Sequence, residues 1–115
     1  MTVIYHNPRC SKSRQTLELL RENKVEPEIV EYLKTPPSAA DLKAILGKLG
    51  MSASQILRRK ETRDAGIDPA SLSEDDLLAA IVANPVIMER PIVVSGDRAV
   101  LGRPPENVLA LIPTG

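Results

Sequence analysis

What most limits the folds open to this chain is the succession of "TVIY", "SKSRQTLELLREN" and "EIVEYL" between Thr2 and Leu33. The β-branched run Thr2–Tyr5 reads as a buried strand, and Asn7-Pro8 interrupts it. From about Cys10 to Asn23 good helix formers follow, with Leu17 and Leu20 on one face and Lys24 continuing the spacing. Glu28–Leu33 alternates enough to form a second strand. Strand, helix and strand within ~30 residues make a βαβ unit, which requires parallel strands and a right-handed crossover.

Pro36-Pro37 punctuates the chain, and three short helices are expected after it. Their starts carry pairs able to act as capping boxes: Ser38 with Asp41, Ser52 with Gln55, and Ser73 with Asp76. Leu42, Ile45, Leu46 and Leu49 form one helical stripe, and Leu77, Leu78, Ile81 and Val82 form another. Beyond Asn84-Pro85, "PIVVSGDRAVLG" has the pattern of a hairpin turning at Ser95-Gly96-Asp97. Pro105 suits the first turn of a closing helix that runs to Ile112. The order β-α-β, a helical insertion at about 38–84, then β-β-α predicts an α/β fold with an open sheet, in a single domain over residues 1–115.

Composition narrows the function. Of the 115 residues 43% are apolar, and the core they build is aliphatic, since Phe and Trp are missing and Tyr5 and Tyr32 are the only aromatics. Fifteen basic side chains balance fifteen acidic ones, which gives no electrostatic case for nucleic acid or a membrane as partner. Stacking platforms for single strands are missing too. No segment has the pattern of a signal peptide or a membrane span, which predicts the cytoplasm. Balanced charge without an exposed apolar stripe predicts a monomer.

The chain has one cysteine, Cys10, in "YHNPRCSKSRQTL", so an internal disulfide is impossible. A lone cysteine is most often a small buried hydrophobe. Three features argue for more. Cys10 follows a proline-containing turn instead of sitting in an apolar stripe. It falls at a helix N-terminus, whose unpaired N–H groups and dipole favour an anion. Arg9, Lys12 and Arg14 are near in sequence, and each favours a thiolate. His6 is placed to add to this or to move a proton.

Spacing removes competing chemistries. A phosphatase-type loop needs an arginine where Thr16 stands, and a dithiol redox motif needs a cysteine where Ser13 stands. A zinc site needs three or four ligands, so Cys10 with His6 falls short and no metal is expected. A monothiol nucleophile remains. The second thiol must come from outside the chain.

Three further arginines stand at turn-like positions: Arg58 in "ILRRKE", Arg90 in "MERPIVV" and Arg103 in "LGRPPE". Arg90 and Arg103 directly precede proline and flank the hairpin, at strand ends where open sheets bind ligands. The peptide bond to Pro91 is a candidate for cis. Convergence of the arginines on Cys10 would make a pocket for a multiply charged oxyanion, held by bidentate guanidinium contacts.

"YHNPRCSKSRQTL", "EYLKTPPS", "ILRRKE", "ERPIVV" and "GRPPENVL", in this order, resemble the glutaredoxin-linked arsenate reductase (ArsC) family over nearly the whole chain. The "HNPRCSKSR" segment is most similar to that of the short housekeeping-type members. The resemblance implies a thioredoxin-like fold with a helical insertion. It implies that Cys10 attacks arsenate and that Arg58, Arg90 and Arg103 bind the oxyanion. His6 would help depress the thiol pKa, and Pro91 would be the cis-proline facing the cysteine. Beside these, Ser13 and Arg14 are expected to support the site. In the implied cycle glutathione attacks the Cys10–arsenic adduct, and glutaredoxin reduces the resulting mixed disulfide. Glutathione is then a co-substrate, glutaredoxin a partner, and no cofactor is tightly bound.

Ser11-Lys12 stands where the resistance enzymes of that family commonly have Gly-Thr. Two other functions stay open. One is a glutathione-linked thiol–disulfide oxidoreductase with a different substrate. The other is a redox-responsive regulator that binds RNA polymerase, similar to the Spx type, although those regulators typically carry a Cys-x-x-Cys switch and Ser13 replaces its second thiol.

Overall fold

The computed structural model describes residues 2–112, which gather into two compact units. One holds the chain up to Thr35 and from Arg90 onward, and the other is Pro36–Glu89.

The first unit is a four-stranded sheet with one α-helix. Strand β1 is Thr2–His6, helix α1 is Ser11–Glu22, and strand β2 is Glu28–Glu31. β1 and β2 run parallel with Ile4 opposite Ile29, as the βαβ pattern requires. Strands β3 (Ile92–Ser95) and β4 (Arg98–Leu101) form the expected antiparallel hairpin. Ser95 pairs with Arg98 across a two-residue turn, Gly96-Asp97, where Gly96 takes the left-handed φ of 62° that a tight hairpin favours. β3 also pairs antiparallel with β1, which gives the strand order β2-β1-β3-β4.

Ile4 and Val93 are opposite each other in the sheet and both fully buried, packed with Leu17 and Leu20 of α1 and with Val108 and Leu111. Each such aliphatic side chain contributes about 1.5–3 kcal/mol on burial. This cluster fixes α1 on one face of β1.

Three boundaries differ from the sequence reading, each for a local reason. β2 stops at Glu31, because Glu31 O turns to accept from both Lys34 N and Thr35 N. Lys24 does not continue α1. It adopts φ 62°, and Val25 N closes the helix end on Leu20 O at 2.8 Å, a Schellman-type bond. The closing segment Pro105–Leu111 is a 3-10 helix instead of an α-helix. Pro104 and Pro105 bring no N–H to its start, and Asn107 N bonds to Pro104 O at 3.0 Å in the tighter i→i+3 pattern.

The Pro36–Glu89 unit is helical. Helix α2 (Ala39–Leu49) begins with the expected capping box, Ser38 Oγ accepting from Asp41 N and the Asp41 carboxylate accepting from Ser38 N. The Ser52/Gln55 pair caps only a 3-10 turn, Ala53–Ile56. There the chain becomes extended: Leu57 bridges to Met88, Arg58 N donates to Ile87 O and Glu89 N to Ile56 O, both at 2.7 Å. That pairing cuts short the expected second helix, and an unanticipated one, α3 (Arg59–Asp64), follows. Helix α4 (Glu74–Ala83) starts at Ser73, whose hydroxyl accepts from Asp76 N. Leu77, Leu78 and Ile81 of α4 and Leu42, Ile45 and Leu46 of α2 are buried where these helices pack. No helix among the described residues is long and apolar enough to cross a membrane.

Candidate active site

The link from β1 to α1 is a turn that closes on itself. Cys10 N donates to Asn7 O at 3.0 Å, while the Asn7 side chain accepts from Arg9 N at 3.0 Å. The turn delivers Cys10 to the cap position of α1, and Arg14 N makes the first helical bond, to Cys10 O. A capping side chain ordinarily accepts from the N–H groups of the second and third helical residues. Here those residues are Lys12 and Ser13; no side-chain cap bond closes at Cys10, and their N–H groups act on the thiol by favouring its anion.

Cys10 is a free thiol, 8% exposed. Burial pushes the thiol up. Against burial stand the Ser13 N–H, the Arg90 guanidinium, the Lys12 N–H and the Arg103 guanidinium, and together they hold it below its ordinary value. The direction agrees with the sequence reading, but the sources differ. Arg9, Lys12 and Arg14 point exposed side chains into water, where their charge is screened. The Arg14 guanidinium instead braces the turn by donating to Pro8 O at 2.9 Å. The charge that acts on the sulfur comes from the ends of the hairpin.

His6 follows from the two-residue period of β1. Ile4 and His6 share a face, so the buried His6 also meets α1. Its Nδ1 lies 2.6 Å from Ser13 Oγ, which also accepts from Asn7 N at 3.0 Å. A hydroxyl both donates and accepts, so Ser13 Oγ serves the Asn7 N–H and the His6 ring together. Burial lowers the His6 pKa, Glu31 opposes it, and Arg21 and Arg14 lower it further. His6 thus touches Ser13, whose N–H faces the sulfur.

Arg90 sets the character of the site. Its Nε and Nη1 are buried and have no hydrogen-bond partner in the structure. Arg103 Nη1 makes a long 3.5 Å contact to Arg90 O, which ties the two arginines together. The Arg90–Pro91 bond is cis, and so is Arg103–Pro104, which the sequence reading did not single out. Arg58 belongs to the Pro36–Glu89 unit, where it stands at the residue before α3 and its side chain pairs with Glu61 at 2.8 Å.

A packing joint that sequence reasoning missed holds the hairpin end to α1. Thr16 Oγ1 bonds to Lys12 O at 2.8 Å and lies 3.3 Å from Gly102 O, and Gly102 N donates to Pro91 O at 2.9 Å. A Cβ on Gly102 would stand 2.6 Å from Thr16 Oγ1 and 2.7 Å from Pro91 Cγ. Only glycine fits there. The one sequence signal is "LGRP", a glycine ahead of the proline-bound arginine.

The sequence that builds this turn, helix and hairpin matches the ArsC family over residues 5–111. The chain belongs to the ArsC family. An arsenate reductase of Neisseria meningitidis serogroup B is 46% identical to it, over 95% of this chain and 96% of the relative. The uncharacterized protein YfgD of Escherichia coli strain K12 is 55% identical, over 95% and 94% respectively. A solved structure, an arsenate reductase from Vibrio cholerae, matches with a TM-score of 0.91 at 43% identity, covering 97% of each chain. The fold is therefore the thioredoxin-like fold of ArsC proteins, with Cys10 at the cap position of α1.

Proposed function

We propose that this chain reduces arsenate to arsenite, with Cys10 as nucleophile and with glutathione and glutaredoxin as the external thiols. The observation that carries the reading is Arg90. Two of its donors are buried without a partner, and its charge favours the Cys10 thiolate. Unpaired buried donors cost free energy, and a tetrahedral oxyanion with several acceptor oxygens satisfies them at once. Arg103 adds a second cation from the same hairpin. Arsenate reductases among the relatives support the choice of oxyanion.

The steps balance as follows. The Cys10 thiolate attacks arsenic, an S–As bond forms, and one oxygen leaves as water after protonation. Glutathione thiolate then attacks the Cys10 sulfur. The S–As bond breaks with its electron pair going to arsenic, which leaves as arsenite in the +3 state, and a Cys10–glutathione disulfide remains. Glutaredoxin takes the glutathionyl group by thiol exchange and frees Cys10. A single cysteine suffices because both reducing thiols arrive from outside, and the reducing cytoplasm, which supplies such thiols, is the proposed setting.

The test is arsenite formation from arsenate with glutathione and glutaredoxin supplied. Cys10→Ser should abolish it, and Arg90→Ala should lower kcat/KM by about a hundredfold, equivalent to ~2.7 kcal/mol of lost transition-state binding. No arsenite from the native chain, with Cys10 still reactive, would refute arsenate as substrate.

A further inference from the structure

Helix α3 carries charges that its own acids do not match. Arg58 pairs with Glu61, and Lys60 pairs with Asp64 at 3.0 Å. Both acidic residues of the helix are thereby used, and Arg59 and Arg63 have no ion pair among the described residues. These arginines are four apart, so they share a face of the helix and repel each other. Thr62 lies on the same face.

That face lines a cavity of about 810 Å³, within the range of small-molecule sites and lined entirely from the Pro36–Glu89 unit. Met51, Leu57 and Ile67 supply apolar wall, Arg59 and Arg63 supply the cations, and no acidic side chain lines it. Thr62 lines it as well. It is 3% exposed, and its Oγ1 is buried with no hydrogen-bond partner in the structure. A buried hydroxyl of this kind is uncommon in native proteins and calls for a partner. A threonine in a helix ordinarily satisfies its hydroxyl on a carbonyl of the preceding turn, and this one does not.

We propose that this cavity binds a small organic acid, one carboxylate on an apolar body. The carboxylate lies between the two guanidinium groups, whose planar forks match its geometry, and one of its oxygens accepts from the Thr62 hydroxyl. The apolar body covers Met51, Leu57 and Ile67. An inorganic oxyanion would leave that wall bare. A cation is excluded by the pair of arginines. The site uses none of the residues assigned to the thiol chemistry.

Octanoate is the probe and n-octylammonium its control, titrated into the full native chain while backbone amide shifts are followed by NMR. Octanoate should shift the amides of Leu57, Thr62, Arg63 and Ile67 saturably, and n-octylammonium should not. Arg59→Ala and Arg63→Ala should each weaken octanoate about tenfold, as the loss of one charged hydrogen-bonded contact implies. Both positions are exposed, so neither change threatens the fold. Thr62→Val should weaken binding and also raise the Tm of the unliganded protein, since it removes a buried hydroxyl without a partner. Equal shifts from the two probes, shifts that do not saturate, or shifts centred on the Cys10 turn would overturn the proposal. Arginine variants that bind octanoate as the native chain does would overturn it equally.

Discussion

His6 Nδ1 and Ser13 Oγ stand 2.6 Å apart, with His6 6% exposed and Ser13 fully buried. The bond joins the end of β1 to the first turn of α1, beside the N–H that faces the thiol. Ser13→Ala leaves both Nδ1 and the Asn7 N–H without this partner, so a loss of about 1–3 kcal/mol is expected in urea unfolding. The same variant should raise the Cys10 pKa, because the Ser13 N–H is no longer held in place. His6→Asn keeps a hydrogen-bonding atom near the Nδ1 position and should cost less. Equal losses from the two variants would show that the bond does not position the turn.

The pH dependence of stability follows from His6. Its folded pKa lies below the ordinary 6.5, mainly through burial. As pH falls past 6.5, the unfolded chain takes up this proton before the folded one, so stability decreases from there down to the folded pKa. Cys10 has the same sign in a higher window. Its contribution is fully present above 9.0 and is lost as pH falls through the lowered folded value. Unfolding free energy measured against pH should therefore rise across both windows. His6→Asn should flatten the lower rise and Cys10→Ser the upper one.

Arg90 holds buried donors that a bound anion would satisfy. Arg90→Met keeps the length of the side chain and removes the charge. It should leave the unliganded protein as stable or more so, by up to about 1–3 kcal/mol. Arsenate at a hundred times its Kd should raise the stability of the native chain by about 2.7 kcal/mol and leave that of Arg90→Met nearly unchanged. Thermal shift with and without arsenate reads both effects.

Gly102→Ala tests the joint between the hairpin and α1. The new Cβ would meet Thr16 Oγ1 at 2.6 Å and Pro91 Cγ at 2.7 Å, and the hydroxyl cannot swing away without leaving Lys12 O. Overpacking of this kind costs about 1–3 kcal/mol. Adding Thr16→Ala should recover part of the loss, with Pro91 still in contact. A double-mutant cycle that shows no coupling between positions 16 and 102 would contradict the packing described.

The sequence showed those features whose cause is local. The βαβ unit, the hairpin at Gly96-Asp97 and the cap at Ser38 each rest on residues within a few positions of one another. So does Cys10 at the mouth of α1, where a turn-forming Asn7-Pro8 precedes a run of helix formers. The closing segment was harder, because helix type there depends on how Pro104 and Pro105 deplete the first turn of donors. The second expected helix failed for a tertiary reason, the pairing of Leu57 with Met88. Arg9, Lys12 and Arg14 looked decisive for the thiol because they are close in sequence. Water screens them, and the hairpin arginines act instead. Thr16 carries no motif, Gly102 shows only as the glycine of "LGRP", and only the fold brings the two together.

The central claim is that the Cys10 thiol titrates below its ordinary value because the N–H groups of Ser13 and Lys12 and the guanidinium groups of Arg90 and Arg103 outweigh its burial. Its most direct test is the rate of iodoacetamide alkylation against pH, for the native chain and for Arg90→Met, with the urea-unfolded chain as reference. The native thiol should titrate at lower pH than the unfolded one, and Arg90→Met should shift it back upward. A native thiol that titrates with the unfolded chain, or one indifferent to Arg90, would contradict the account.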